Sequence, residues 1–205
     1  MPGRHPLSKP SGHLPQRWLF TDARLGHALF AAVAALPPGS GIVLRDDDRA
    51  PGARWRLARR LAGIARTRGL TLLLAGSPAL ARRWGADGVH LRQHLAEQAG
   101  GAHRLGLIVS MPVHDLREAR VARRARADIA FISPLHPTRS HPGAPALGRK
   151  AWLRLARSTG AQPVALGGLT PARARALRRA SKASGLAPGW AAIDHWLENA
   201  SKRRA

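Results

Sequence analysis

Two segments in the C-terminal half of the chain carry residues suited to binding a phosphate group. Residues 133–148 combine hydroxyl side chains with a backbone rich in proline and glycine, and Gly167 and Gly168 stand directly before Leu169 and Thr170. A glycine pair lets backbone N–H groups approach an anion closely, and a helix that begins at Thr170 adds the positive end of its dipole. Either segment alone is more typical of a lid or a tight turn. The two in this order indicate a phosphate site.

Both segments follow apolar runs that belong to a longer pattern. Eight short apolar runs occur along the chain, and a stretch of helical periodicity follows each one, as expected of repeated βα units and a parallel sheet. The predicted strands cover residues 18–21, 41–44, 70–74, 89–91, 107–110, 129–132, 163–166 and 190–193. The fold class predicted is α/β, a single (β/α)8 TIM barrel with parallel strands. Because the eighth unit is short, an open doubly wound sheet is the alternative.

In such a barrel, ligands bind at the C-terminal ends of the strands, which is where the two candidate segments lie. Two predicted helices have clear boundaries. The helix after the second strand ends at Gly69, and the helix after the seventh begins with a hydroxyl cap at Thr170 and proline at position 171. One stripe of the helix after the second strand is apolar and is predicted to face the sheet. The residues of this stripe are Leu57, Leu61, Ile64 and Ala65.

The composition limits the number of domains and the kinds of chemistry. With 205 residues, the chain is long enough for one sizeable core and short for two. Because cysteine is absent, a disulfide framework, a thiolate zinc site and a cysteine nucleophile are all excluded. We expect one barrel domain over residues 17–200, a disordered lead-in over residues 1–16 and a basic tail over residues 201–205.

The chain is strongly basic, with 34 Lys and Arg residues against 11 Asp and Glu residues and a formal charge of +23. Such a charge is typical of proteins that bind nucleic acid or another acidic surface. The arginines are spread along helical stretches, so solvated helix faces are the favoured interpretation and nucleic acid is not the expected partner. No signal peptide and no apolar run of roughly 20 residues is found, which favours a cytoplasmic protein without membrane insertion. The oligomeric state is left open.

The two candidate segments, together with residues 85–91 and His114, resemble thiamine phosphate synthase and its TenI paralogues, and this resemblance covers roughly residues 17–196. The loop after the sixth predicted strand, residues 133–148, is called the sixth loop. It contains the motifs Pro-Thr-x-Ser and Pro-Gly-Ala-Pro-x-Leu-Gly and is the most specific element of the resemblance. The segments that carry the resemblance are residues 85–91, His114, residues 134–148 and residues 165–171.

The resemblance implies an enzyme that joins hydroxymethylpyrimidine diphosphate to thiazole phosphate, through a pyrimidine cation that the thiazole nitrogen attacks. Magnesium and cationic side chains would stabilise the leaving diphosphate. The resemblance implies a role for residues at three places. An arginine after the second strand matches the family's diphosphate site. Two hydroxyls of the sixth loop match the thiazole phosphate site, as do backbone positions after strands seven and eight. These residues are, in that order, Arg45, Thr138 and Ser140, and Gly167, Gly168 and Ile193.

The metal side of the family pattern is altered. A lysine is replaced by Asp47, an Asn-Asp pair by Ala75 and Gly76, and the carboxylate that ends a Gly-Gln-x-Asp turn by Leu95. Two like charges about 4 Å apart at an effective dielectric near 20 repel by roughly 4 kcal/mol, so Asp47 would disfavour a diphosphate without metal. Both expected magnesium carboxylates are missing.

Three consecutive carboxylates after the second strand offer a relocated magnesium site. Oxygen ligands suit this ion, and Asp47 and Asp48, beside Asp46, are the candidate ligands. A charged surface loop is the plainer interpretation of the same residues. Magnesium is therefore an implied cofactor whose usual ligands are missing.

Three functions remain open at this point. The first is a thiamine phosphate synthase with a degraded metal site, with thiazole phosphate and pyrimidine diphosphate as ligands. The second is a TenI-like thiazole tautomerase in which His114 carries the proton, because the pKa of histidine lies near working pH. A structural hydrogen bond explains His114 equally well. The third is a non-catalytic binder of thiazole phosphate or thiamine phosphate.

Overall fold

The computed structural model describes residues 13–46, 48–138, 143 and 145–202. Eight parallel strands pair in sequence order, and β8 pairs with β1, so that the sheet closes into a barrel. The predicted (β/α)8 TIM barrel is confirmed, and the open doubly wound alternative is wrong because no sheet edge is left between these two strands. The strands are β1 (Arg17–Phe20), β2 (Gly41–Leu44), β3 (Thr71–Ala75), β4 (Gly88–His90), β5 (Ile108–Val113), β6 (Ile129–Ile132), β7 (Gln162–Ala165) and β8 (Gly189–Ala192).

The helices alternate with the strands and cover the outside of the barrel. They are α1 (Leu29–Ala34), α2 (Pro51–Arg68), α3 (Pro78–Trp84), α4 (Ala99–Arg104), α5 (Leu116–Arg124), α6 (Gly148–Thr159), α7 (Pro171–Ser181) and α8 (Asp194–Lys202), with short 3-10 helices at Ala23–Ala28, Gln93–Gln98 and Lys182–Ser184. In the part of the chain that the structure describes, no helix is both long enough and apolar enough to cross a membrane.

The predicted strand positions differ slightly from the observed ones. β2 and β6 coincide with their predictions, β1, β3, β4, β7 and β8 are shifted by one residue, and β5 continues to Val113 because it pairs with β6 that far. Leu166 and Ile193, which were predicted to end strands, lie just beyond β7 and β8. Both residues therefore belong to the loops at the mouth of the barrel.

Strand residues alternate between two apolar cores. Trp18 and Phe20 face the barrel interior, whereas Leu19 between them packs against the surrounding helices. This burial on both faces explains the continuous apolar runs in the sequence. The interior core consists of Trp18, Phe20, Val43, Leu73, Ile108, Ile129, Phe131, Val164 and Ala191.

The N-terminal end of the barrel is closed by residues that precede β1. Leu14 packs against the interior core, the Pro15 carbonyl accepts hydrogen bonds from Trp18 Nε1 at 2.8 Å and Gln162 Nε2 at 2.9 Å, and the Gln16 carbonyl accepts one from the Trp190 N–H at 2.8 Å. Residues 14–16, which we expected in the lead-in, thus contact the barrel. Residues 1–12 and 203–205 lie outside the described residues.

Two aspartates at this same end hold neighbouring strands together. Asp87 precedes β4 and accepts a hydrogen bond from the Leu72 N–H at 2.8 Å, and Asp128 precedes β6 and accepts one from the Val109 N–H at 2.7 Å. Burial raises the pKa of Asp87. The Gly-Ala-Asp wording at residues 85–87 therefore has a structural role, far from the mouth.

Part of the arginine excess is used inside the molecule. Arg68 donates to the carbonyls of Val33 at 2.7 Å and Leu36 at 2.8 Å and so caps the end of α1. The Arg60 guanidinium lies 3.7 Å from the centroid of the Phe30 ring, in a cation–π contact. Guanidinium groups therefore link adjacent βα units, in addition to covering solvated faces.

The tightest contact in the interior core generates a stability prediction. A Cβ atom added at Gly41 would lie 2.2 Å from the Trp18 ring, whereas carbon atoms in contact are normally about 3.5–4.0 Å apart. We expect Gly41→Ala to lower the free energy of unfolding by about 1–3 kcal/mol, measured by urea denaturation. The control is Gly63→Ala inside α2, where nothing lies within 4 Å of an added Cβ. This control should be neutral or stabilising, and an equally harmless Gly41→Ala would contradict the packing described.

Candidate active site at the mouth of the barrel

A cavity of about 720 Å³ opens at the C-terminal ends of the strands. Its apolar floor includes Phe20 and Phe131, and its walls come from the loops that follow the strands. The polar residues around it are Arg45, His90, Arg92, His114, Ser133, Thr138, Thr170, Arg173, Asp194, His195 and Glu198. The cavity thus lies where the barrel rule placed the ligand site.

Most of the residues singled out from the sequence meet in this one cavity. They are Arg45, His114, Thr138, Gly167, Gly168 and Ile193. Asp48 is exposed and does not line the cavity. Ser140 and Asp47 lie outside the described residues, so their expected roles stay predictions.

One wall is formed where the sixth loop packs on the glycine pair. The Leu135 N–H donates to the Leu166 carbonyl at 2.9 Å, and the His136 N–H donates to the Gly167 carbonyl at 3.3 Å. These bonds join the two segments that the sequence offered as a phosphate site.

Both glycines are required by this close approach. Gly167 has a φ of 97° and Gly168 a φ of 61°, a region that favours glycine. An added Cβ would lie 2.8 Å from Pro134 Cα at Gly167 and 2.6 Å from the Pro137 carbonyl oxygen at Gly168. A side chain at either position would push the sixth loop away from the cavity.

The N-terminus of α7 adds positive potential to the same wall. Thr170 caps the helix as predicted, its hydroxyl accepting a hydrogen bond from the Arg173 N–H at 3.3 Å. Arg173 Nη1 also donates to the Gly168 carbonyl at 2.6 Å, which holds the guanidinium at the cavity. Burial, with a smaller contribution from the Arg173 charge, lowers the pKa of the neighbouring His136. An anion at this wall would meet both the helix end and a guanidinium.

The opposite wall carries Arg45 at the end of β2. The Arg45 N–H donates to Thr21 Oγ1 at 3.0 Å, and its guanidinium is 3.4 Å from Asp22 Oδ2. The Thr21 hydroxyl in turn donates to Asp46 Oδ1 at 2.9 Å. Asp46 Oδ2 accepts two hydrogen bonds from Arg49, at 3.2 and 3.1 Å. Both carboxylate oxygens of Asp46 are therefore already engaged.

The donors in this region do not fit a divalent cation. Among the described residues, no group of three or more His, Cys, Asp or Glu side chains could hold a metal. Arg54 Nη2 donates to the Ala75 carbonyl at 2.5 Å, beside the position of the family's Asn-Asp pair, and Arg92 lines the cavity after β4. Since like charges at about 4 Å repel by roughly 4 kcal/mol at a dielectric near 20, these guanidinium groups disfavour a cation between them.

His90 lies at the floor of the cavity and was given no separate role by the sequence. Its Nδ1 is 2.9 Å from Ser110 Oγ, and its ring makes edge contacts with Phe20 and Phe131, at centroid distances of 5.7 and 5.5 Å. Burial, with the nearby charges of Arg45 and Arg92, lowers the pKa of His90 to about 3. The imidazole is therefore neutral at physiological pH.

His114 lies at the rim, with 52% of its side chain exposed. Its Nδ1 is 2.8 Å from Glu118 Oε2, and its backbone N–H donates to the same oxygen at 2.7 Å. The Glu118 N–H donates to Asp115 Oδ1 at 2.8 Å, and this cap fixes the first turn of α5, which carries Glu118. A histidine whose Nδ1 proton is held by a carboxylate keeps Nε2 as a base.

The polar residues of the cavity that were not predicted from the sequence include Arg92, Arg173, His195 and Glu198. Arg92 follows β4 by two residues, so the rule that ligand-binding residues come directly after each strand could have identified it. The other three belong to α7 and α8, and only the packing of those helices around the mouth reveals them.

The neutral state of His90 predicts a pH dependence of stability. Below its ordinary pKa of 6.5, the unfolded chain binds a proton that the folded chain excludes down to about pH 3, so stability is complete above pH 6.5 and falls below it. Each pH unit in this window costs about 1.4 kcal/mol. Between about pH 7.5 and pH 5, the unfolding free energy should fall by about 2 kcal/mol more in the wild type than in His90→Gln. The exposed His27→Gln is the control and should follow the wild type; equal slopes for all three proteins would refute a neutral, buried His90.

Comparisons with known proteins place this architecture in a family. The family model for thiamine monophosphate synthase (TMP-TENI) matches residues 19–191. A thiamine-phosphate synthase from Chromobacterium violaceum is 34% identical over 158 residues, which are 75% of this chain and 74% of that protein. One from Geobacillus thermodenitrificans is 34% identical over 124 residues, 59% of this chain and 56% of that protein.

Among solved structures, a thiamine phosphate pyrophosphorylase from Pyrococcus furiosus has the same fold. The superposition has a TM-score of 0.71 at 21% identity and covers 93% of this chain and 96% of that chain. The family model spans most of the barrel, including the sixth loop, the glycine pair and the cavity residues as far as Ala191. The chain therefore belongs to the thiamine monophosphate synthase family.

Proposed function

We propose that the protein is a thiamine phosphate synthase of thiamine biosynthesis, which joins hydroxymethylpyrimidine diphosphate to thiazole phosphate and releases diphosphate. One observation carries the proposal: a single cavity is lined by Thr138, Gly168 and Ile193 on one side and by Arg45 on the other. Membership of the family and similarity to the thiamine-phosphate synthase of Chromobacterium violaceum support the same reaction.

The thiazole phosphate binds at the wall formed by the sixth loop and α7. The Thr138 hydroxyl and the backbone around Gly167 and Gly168 offer donors, and Arg173 and the positive end of α7 offset the charge. Ser140 is proposed to contribute a second hydroxyl. This wall fixes the thiazole so that its nitrogen faces the centre of the cavity.

The pyrimidine ring packs on the floor of the cavity. Phe20 and Phe131 provide flat apolar surfaces, and the neutral imidazole of His90 adds a polar edge without placing a positive charge beside a forming pyrimidine cation. The diphosphate then points toward Arg45. Because the described donors do not fit magnesium, we assign it no ligands and derive no step through it.

The partners that we propose are these small molecules, and nucleic acid is not the expected partner. Several arginines that raise the charge of the chain are engaged internally, including Arg60, Arg68 and Arg173. Affinity for nucleic acid that falls steeply with salt would contradict this assignment, because it is the mark of phosphate contacts made by free cations.

The reaction is tested by incubating the purified protein with hydroxymethylpyrimidine diphosphate and thiazole phosphate, with and without magnesium, and by measuring thiamine phosphate. We expect product above background, and Thr138→Val should raise KM for thiazole phosphate about tenfold because a charged-group hydrogen bond is lost. Thr67→Val on the outer face of α2 is the matched control and should leave KM unchanged. The absence of product under both conditions rejects the proposal. Calorimetric binding of thiazole phosphate without turnover would identify a non-catalytic binder instead.

A second activity, tautomerisation of a thiazole carboxylate phosphate, is favoured by the His114–Glu118 pair at the cavity rim. It needs phosphate anchoring and one proton transfer, without diphosphate or metal. If the protein isomerises this compound, His114→Asn should lower kcat by about 100-fold or more, because the general base is removed. Exposed His13→Asn is the control. An unchanged rate in His114→Asn would leave the pair with a purely structural role.

A further inference from the structure

The turn after β4 differs from the family pattern at two positions, and both changes affect the positive charge that would face the diphosphate. Where the pattern reads Gly-Gln-x-Asp, this chain reads Arg92, Gln93, His94 and Leu95. The carboxylate of the pattern is lost, and a guanidinium is gained three residues earlier. One change removes a metal ligand and the other adds a fixed cation.

The guanidinium gained in this turn belongs to Arg92, which lines the cavity. It follows β4, directly precedes the 3-10 helix Gln93–Gln98 and lines the same cavity as Arg45. The adjacent Gln93 donates from Nε2 to the Pro112 carbonyl at 2.5 Å, which fastens the turn to β5. The charges of Arg45 and Arg92 both act on the His90 imidazole at the cavity floor.

Arg54 strengthens the positive potential between these two residues. It donates to the Ala75 carbonyl at the end of β3, the strand between those that precede Arg45 and Arg92. Three consecutive strands, β2, β3 and β4, therefore end beside a guanidinium. In the family pattern, carboxylates follow the last two of these strands, β3 and β4.

We propose that Arg92 and Arg45 bind the diphosphate of the substrate directly, in place of a divalent cation. This inference rests on the proposed synthase function and names the residues that replace its metal. A guanidinium suits this task because it keeps its proton at every physiological pH and presents paired N–H donors to phosphate oxygens.

The arginine pair accounts for the charge that moves during the reaction. The bond between the pyrimidine methylene carbon and the diphosphate oxygen breaks, and its electron pair leaves with the diphosphate. Arg45 and Arg92 stabilise this developing negative charge, while the lone pair of the thiazole nitrogen forms the new C–N bond. No oxidant, reductant or proton donor is needed for the two steps to balance.

The direct test is calorimetric binding of inorganic pyrophosphate to the full chain in EDTA and, separately, in magnesium. We expect binding in EDTA, and Arg92→Leu should weaken it at least tenfold. The matched control is Arg104→Leu, which removes the same charge from an exposed position outside the cavity. Arg92→Leu should also raise the pKa of His90, followed by the NMR shift of its imidazole, whereas Arg104→Leu should not.

A double variant tests the exchange in reverse. Arg92→Gly with Leu95→Asp restores the family turn but leaves Ala75 and Gly76 in place of the Asn-Asp pair, so pyrophosphate binding in EDTA should be lost as it is in Arg92→Leu. Binding that requires magnesium in the wild type, or that is unchanged in Arg92→Leu, overturns the inference even if thiamine phosphate is formed. Conversely, metal-free binding that depends on Arg92 in a protein that forms no thiamine phosphate supports this diphosphate site and rejects the synthase function.

Discussion

Closure of the barrel by the pairing of β8 with β1 is the constraint on which the site depends. It brings the C-terminal ends of all eight strands around one mouth, so residues as distant in sequence as Arg45 and Ile193 line a single cavity. Closure in turn requires an interior that side chains fill without excess. The Trp18 ring lies against Gly41, and Leu14 packs against the interior core, so side chains fill the N-terminal end of the barrel.

The two sides of the mouth are built by different means. The side proposed for the thiazole phosphate is held by backbone contacts, because the sixth loop approaches Gly167 and Gly168 so closely that no side chain fits between them. The side proposed for the diphosphate is organised by charge, with Arg45 near Asp22 and Asp46 bound to Arg49. The first side keeps most of the family's motif, whereas the second has lost the family's carboxylates and has arginines beside those positions.

The sequence predicted the fold and half of the site for identifiable reasons. Parallel strands that are buried on both faces appear as continuous apolar runs, so the eight strands were located to within about one residue, except at the end of β5. Thr138 and the glycine pair were predicted from local sequence motifs. Arg92 and Arg173 were not, because arginine is so frequent here that composition does not separate a cavity arginine from one on a helix surface. The neutral state of His90 depends on burial by Phe20 and Phe131, which are distant in sequence.

We propose that one cavity, in which arginines take the place of metal ligands, binds a monophosphate and a diphosphate on opposite walls. A crystal structure of the protein with thiazole phosphate and pyrophosphate, grown in EDTA, tests this claim most directly. We expect the monophosphate at Thr138 and Gly168 and the pyrophosphate between Arg45 and Arg92. Pyrophosphate bound away from both arginines, or bound only after magnesium is added and through aspartate ligands, would contradict it.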